Sequence, residues 1–324
     1  MPRKSKGKRV RAGTARRKAA APRRSFPPVP EQMDRIRAGA VEVIPEEALA
    51  RKLEDSRARG VPLVVKQGFD PTRPDLHLGH AVSIRKLKDF QELGHDVVFV
   101  IGDFTALVGD PSGQSETRPA LSEAEIRENL ETYESQVFQI LDRNRTRIER
   151  NSRWLGRLRV EEILALTARY TVARLLERDD FAQRHREGRP ISVVEFLYPL
   201  LQAYDSVALD ADVELGGTDQ KFNLLVARAI QERYGQDPQA CVILPLLRGT
   251  DGELKMSKSY ANYVGIAEPP EDQYGKTMSI PDALLEEWIR LVSTWRGEVQ
   301  ASQLRNAALQ PLDVKRALAR NVVE

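Results

Sequence analysis

At 324 residues, with 41% hydrophobic and 30% charged content, the chain can bury a full core and divide into more than one domain. One cysteine excludes an internal disulfide framework and suits a reducing compartment, and no apolar run reaches membrane-spanning length. The net charge of +3 hides an asymmetry: residues 1–30 carry eleven Lys/Arg and no acid, which leaves 39 bases against 47 acids, a net of −8, elsewhere.

Residues 1–30 are rich in Ala, Gly and Pro and nearly free of large apolar side chains. Such a segment cannot bury enough surface to offset its ordering entropy, so a disordered basic arm is expected. It suits non-specific phosphate binding, RNA foremost; a solubilising extension or an organelle transit peptide are alternatives. No apolar signal-peptide core follows it, which points to a cytoplasmic protein.

Residues 31–60 read as one or two helices, with Ile44, Leu49 and Leu53 as core candidates. Residues 61–69 read as a strand, 78–93 as a helix closed by Gly94, and 96–101 (DVVFVI) as a buried parallel strand. Strand, helix and strand in that order make a right-handed βαβ unit and an α/β fold. Ligands of such sheets bind at the carboxyl ends of the strands.

That end is where 68–80, GFDPTRPDLHLGH, falls. His77 and His80 share one side of the helix's first turn, where free N–H groups and the positive dipole end attract an anion. Two imidazole donors there suit a phosphate whose charge changes during reaction. A zinc site is disfavoured, because His95, His185 and Cys241 do not supply further ligands at suitable spacing.

Residues 102–113 (GDFTALVGDPSG) form a glycine-rich loop without the GK[ST] of a Walker A loop. A long helix is expected over 121–142, with Ser122 as N-cap and Glu125 completing a capping box. Residues 143–190 read as a helical insertion between two halves of a nucleotide-binding fold. In 195–205 (EFLYPLLQAYD), Tyr198, Gln202 and Asp205 fall on one helical face. Buried polar groups must be paired, and a ligand can do the pairing. Residues 212–223 (DVELGGTDQKFN) give a short strand ending in Gly-Gly, then a helix over 219–233 that Thr218 can cap. Asp219 and nearby amides suit a ribose. Residues 242–247 read as another strand, and Lys255 and Lys258 in the following polar loop as a mobile positive clamp for a polyphosphate. Residues 282–324 read as helical.

Together these pieces resemble the class I aminoacyl-tRNA synthetases: HLGH matches the HIGH signature, and KMSKS (residues 255–259) the second signature letter for letter, about 180 residues later. GFDPT, GDPSG, LLQAYD and GGTDQ narrow the resemblance to bacterial-type tyrosyl-tRNA synthetases, from about residue 31 to the end. It implies a Rossmann-like catalytic domain over 31–248, a segment 249–324 holding the KMSKS loop and terminal helices, and no C-terminal RNA-binding domain. It also implies a tyrosine–tRNA ligase, which activates L-tyrosine with ATP and passes it to tRNA(Tyr). Mg²⁺ comes with the ATP phosphates, with no dedicated protein metal site. A homodimer built through the insertion is implied too.

Residue by residue, the resemblance gives His77, His80, Thr72, Lys255, Lys258 and Arg118 to the reacting phosphates. It gives Gly68, Asp70, Gly217 and Asp219, with His77, His80 and Lys258, to ATP. It gives Asp110, Tyr198 and Gln202 to the substrate ammonium, Gln220 to a place beside the amino acid, and Asp205 to the substrate hydroxyl. A buried acceptor left unpaired by phenylalanine is the physical basis of such selectivity. The chain departs from the family pattern at Lys66, where a tyrosine is frequent, and at Gln114, where a lysine is frequent. With family members continuing past Glu324, adenylate formation with weak tRNA charging is the expectation. A paralogue that forms the adenylate without charging tRNA and a non-catalytic RNA-binding protein are the rival readings.

Overall fold

A computed structural model describes residues 24–112 and 122–324. Six strands form one sheet: β1 (Glu42–Ile44), β2 (Val64–Phe69), β3 (Asp96–Ile101), β4 (Thr146–Arg150), β5 (Val213–Gly217) and β6 (Ala240–Leu244). The order is β1-β6-β5-β2-β3-β4, with β1 antiparallel to β6 and every other pair parallel. The chain moves outward from β2 through β3 to β4, then returns to β5 on the other side of β2. The strand order therefore reverses between β2 and β5, and the crevice at their carboxyl ends is the natural ligand site.

The helices are, in order, α1 (Val29–Arg37), α2 (Glu46–Arg59), α3 (Leu78–Glu92), α4 (Thr105–Val108), α5 (Glu123–Leu130), α6 (Tyr133–Val137), α7 (Ser152–Leu155) and α8 (Val160–Thr167). They continue as α9 (Val172–Leu175), α10 (Asp179–Arg186), α11 (Val193–Leu209), α12 (Lys221–Arg233), α13 (Pro270–Met278), α14 (Leu285–Leu291), α15 (Gly297–Ala307) and α16 (Pro311–Val323). Alternation along the strands feeds two cores. Val65, Val97, Phe99 and Ile101 meet Ile36, Leu49, Leu53, Ile84, Leu87 and Phe90 of α1–α3. Val64, Val98 and Val100 face the other way, against Trp154 and Leu209. The terminal helices bury Trp288, Ile289 and Leu318 against Leu78, Ala81 and Val82 of α3, so the start of α3 sits between the sheet and the C-terminal segment.

Several expectations hold: 96–101 is β3 to the residue, Gly94 follows α3 with φ 101°, and the Ser122–Glu125 capping box forms. Leu49 and Leu53 are buried, and Ile44 is half-buried on the edge strand β1, which stands between the two helices expected over 31–60. Four differences have local causes. The helix expected over 121–142 breaks at Thr132, whose hydroxyl bonds the Pro74 carbonyl while the Gln136 amide bonds the same carbonyl at 2.9 Å. β4 lies inside the stretch expected to be helical; as a half-exposed edge strand, TRIER carries only a weak apolar period. A 3₁₀ turn over Thr218–Gln220 precedes α12, and Thr218 makes no side-chain cap. β6 ends at Leu244, because Pro245 has no N–H for the ladder. Arg118 and Gln114, and residues 1–23 of the basic arm, lie outside the described residues.

Candidate active site

β2 delivers Gly68 and Asp70 to the crevice, and the turn after it delivers Thr72 and His77. Gly68 is exposed, and a Cβ there would meet nothing within 4 Å. His77 is the N-cap residue of α3, and the His80 Nδ1 accepts its backbone N–H at 3.2 Å. The two rings lie 3.9 Å apart. Burial pushes His77 down to about 2 and His80 down to about 4, with Lys258 adding to both. Both imidazoles are neutral at pH 7, so each offers one N–H to a phosphate oxygen without carrying charge.

The lysine loop is fastened to this helix start by backbone. His77 bridges Gly265, Leu78 N–H donates to the Val264 carbonyl at 2.9 Å, and Ile266 N–H to the Leu76 carbonyl at 2.9 Å. Met256 is buried against Leu78, Ala81 and Val82. A Cβ on Gly79 would lie 2.9 Å from the His77 ring and at ordinary contact distance, 3.6 Å, from the Met256 Cβ, so the glycine of HLGH makes room for the first histidine of the same motif. Asn262 holds the loop from inside: its Oδ1 accepts Ser257 N–H at 2.8 Å and its amide donates to Asp251 at 2.8 Å. The lysines reach across the crevice, Lys255 to Asp219 at 3.1 Å and Lys258 to Asp75. Asp219 follows Gly217, where a Cβ would collide with its carboxylate and with Leu246 at 2.7 Å each.

Deeper in, three carboxylates converge. Asp70 accepts from the Tyr198 hydroxyl at 2.9 Å and from the Thr105 hydroxyl at 2.7 Å. Burial pushes it up to about 7; the Thr105 bond opposes and nearby Asp110 reinforces. Asp110 accepts from the Gln220 amide at 2.7 Å. Asp205 accepts from Trp154 Nε1 at 2.7 Å and from the Asn151 amide at 3.3 Å, and burial pushes it up to about 6 against the pull of Lys66. Asp70 and Asp110, coupled to each other, suit a cation such as an α-ammonium, while Asp205 is an acceptor held by two donors of its own. The Gln202 amide nitrogen donates to Glu214 at 3.1 Å, a bond that does not use its Oε1, the atom that could accept from an ammonium.

Against this geometry, a family model described as tRNA synthetases class I (W and Y) matches residues 58–324. The chain belongs to that family. It is 55% identical to the tyrosine–tRNA ligase of Moorella thermoacetica over 298 residues, which is 91% of this chain and 72% of that protein. It is 54% identical to the tyrosine–tRNA ligase of Aquifex aeolicus over 294 residues, 91% of this chain and 74% of that protein. The structure of Archaeoglobus fulgidus tyrosyl-tRNA synthetase complexed with L-tyrosine superposes with a TM-score of 0.74 at 27% identity, covering 91% of this chain and 97% of that one.

For a synthetase of this class, sequence reasoning missed the groups that hold the expected ones. Thr105 orients Asp70, Asn151 and Trp154 orient Asp205, and Glu214 takes Gln202. Gly102 admits Asp70: a Cβ there would stand 2.0 Å from the Asp70 Oδ1. Arg178, read only as part of a charged stretch, is buried 3.9 Å from Asp110 and 2.8 Å from Asp180. A lone tryptophan in a polar insertion was the one available signal for Trp154; the others carry no mark outside the fold.

Proposed function

We propose that this chain is a tyrosine–tRNA ligase that joins L-tyrosine to ATP, releases pyrophosphate, and transfers the tyrosyl group to tRNA(Tyr). The observation that carries the reading is that the lysine loop spans the crevice, Lys258 paired with Asp75 beside the HLGH turn and Lys255 with Asp219 after β5, next to the site that holds Asp70, Asp110 and Asp205. The tyrosine carboxylate attacks the α-phosphate of ATP, and the bond to pyrophosphate breaks. Thr72, the two neutral imidazoles and the two lysines stabilise charge moving onto the leaving phosphates; Arg118 is assigned there by resemblance alone. Gly68, Gly217 and Asp219 bound the nucleotide. Asp70, which the resemblance gave to ATP, accepts from Tyr198 and lies near Asp110, so we assign it with them to the ammonium; Gln220 stands beside it, and Asp205 receives the substrate hydroxyl. Gln202, held by Glu214 through its amide nitrogen, turns its Oε1 to the same ammonium. Catalysis of this kind is mostly positioning and needs little proton transfer.

Mg²⁺ enters with the ATP phosphates as part of the substrate, as the hard oxygen-seeking cation that polyphosphates carry. No helix among the described residues is long and apolar enough to cross a membrane; a cytoplasmic homodimer completes the proposal. Tyrosine-dependent ATP–pyrophosphate exchange, with phenylalanine and tryptophan as controls, tests it. Exchange with tyrosine alone is expected. Exchange with none of the three would end the reading.

A further inference from the structure

Next to α11 lies a buried charge pair, in which the reaction above uses Glu214 only to hold Gln202 and gives Lys66 no part. Lys66 and Glu214 are register partners on β2 and β5, each 1% exposed, with Nζ 2.7 Å from Oε1. Strand alternation puts Lys66 on the same face of β2 as Val64, the face that carries Trp154. Glu214 also accepts from Gln202 at 3.1 Å, from Ser206 at 3.3 Å and from Gln239. Gln202 and Ser206 are neighbours of Asp205 on α11. A buried ion pair adds little stability over an apolar pair of equal volume. Its place beside Asp205 therefore calls for another reason.

We propose that Lys66, held by Glu214, is a positioning and specificity-determining residue that presents Asp205 as an ionised acceptor for the substrate hydroxyl. This rests on the reading of Asp205 given above. The groups acting on Asp205 come from every element around it. Trp154 and Asn151 donate hydrogen bonds; Lys66 supplies positive charge from β2; Glu214 opposes from β5. Asp70, at the end of β2, and Tyr198, on α11, are the other titratable groups coupled to it. The pull of Lys66 exceeds the opposing push of Glu214. An ionised acceptor makes a hydrogen bond about twice as strong as a neutral one, so selectivity for a hydroxylated ring follows the charge on Asp205.

The test uses the full chain and pyrophosphate exchange, read as the ratio of kcat/KM for tyrosine to that for phenylalanine across pH 5–9. Asp70 meets the ammonium of both substrates, so its titration cancels in the ratio. In Lys66→Met/Glu214→Gln, which removes both buried charges together, the ratio should fall by about tenfold or more at pH 6–7, with its acid limb moved to higher pH. In Glu214→Gln alone, Lys66 acts unopposed, and the acid limb should move to lower pH. An acid limb that stays in place or moves upward in Glu214→Gln overturns the inference, as does an unchanged ratio in the folded double variant. Wild-type protein without tyrosine exchange would instead overturn the parent reading.

Discussion

At the scale of single residues, the pocket trades stability for binding. Asp70 is buried and pushed up to about 7, well above its unfolded value. A carboxylate with a raised folded value binds its proton more tightly when folded. Its contribution therefore favours the fold at low pH and is lost as pH rises from about 4 through 7. Asp70→Asn removes that penalty and should raise the melting temperature at pH 8 by about 3 °C or more, while KM for tyrosine rises at least about tenfold. In the wild type, KM for tyrosine should climb as pH falls below 7, because protonated Asp70 no longer pairs with the ammonium. A flat KM between pH 5.5 and 8 would contradict this role. Gly79 makes a separate demand. A methyl there meets the His77 ring at 2.9 Å, so Gly79→Ala must displace that imidazole. A shift near 1 Å at a reacting centre costs about a hundredfold in rate. Pyrophosphate exchange by Gly79→Ala should fall by that order with the fold retained, and near-normal exchange would show that the contact is slack.

At the scale of elements, the catalytic loop is built on one side chain. Asn262 receives Ser257 N–H and donates to Asp251, and its amide also reaches the Lys255 carbonyl at 3.2 Å. Asn262→Ala should leave KM for tyrosine unchanged, lower kcat about tenfold or more, and open the loop to limited proteolysis. Unaltered kcat would mean that the backbone bridges to Gly265 and Arg248 suffice. The elements also show what sequence can carry. β3 was legible to the residue because a central parallel strand is apolar throughout, whereas β4, an edge strand with Arg and Glu facing solvent, lacked that mark. HLGH and KMSKS were legible because each is contiguous. The Lys66–Glu214 pair was not, since 148 residues separate its members and only the β2–β5 register brings them together. The turn of Gln202 toward Glu214 was hidden for the same reason.

At the scale of the whole molecule, the sheet divides the work. Its carboxyl end carries the site, the α3 start ties the site to the C-terminal helices, and the stretch from α8 to the start of α11 packs Leu166 against α11 and α12. That stretch exposes Val160, Leu164, Val172 and Val193 at 70%, 62%, 59% and 77%. Val160 and Leu164 are four apart, on one face of α8. These are the apolar side chains that the proposed dimer through the insertion would cover. A second copy of the chain is the partner that fits the proposed homodimer. The same stretch includes buried Arg178, the N-cap residue of α10, beside Asp110, so pairing would brace the ammonium end of the pocket. Light scattering should therefore give twice the 36.6 kDa chain mass. Leu164→Glu with Val193→Asp should give monomer, and exchange activity should fall with dimer content as the wild type is diluted. A wild-type monomer with full exchange activity would refute both the interface and its coupling to the site.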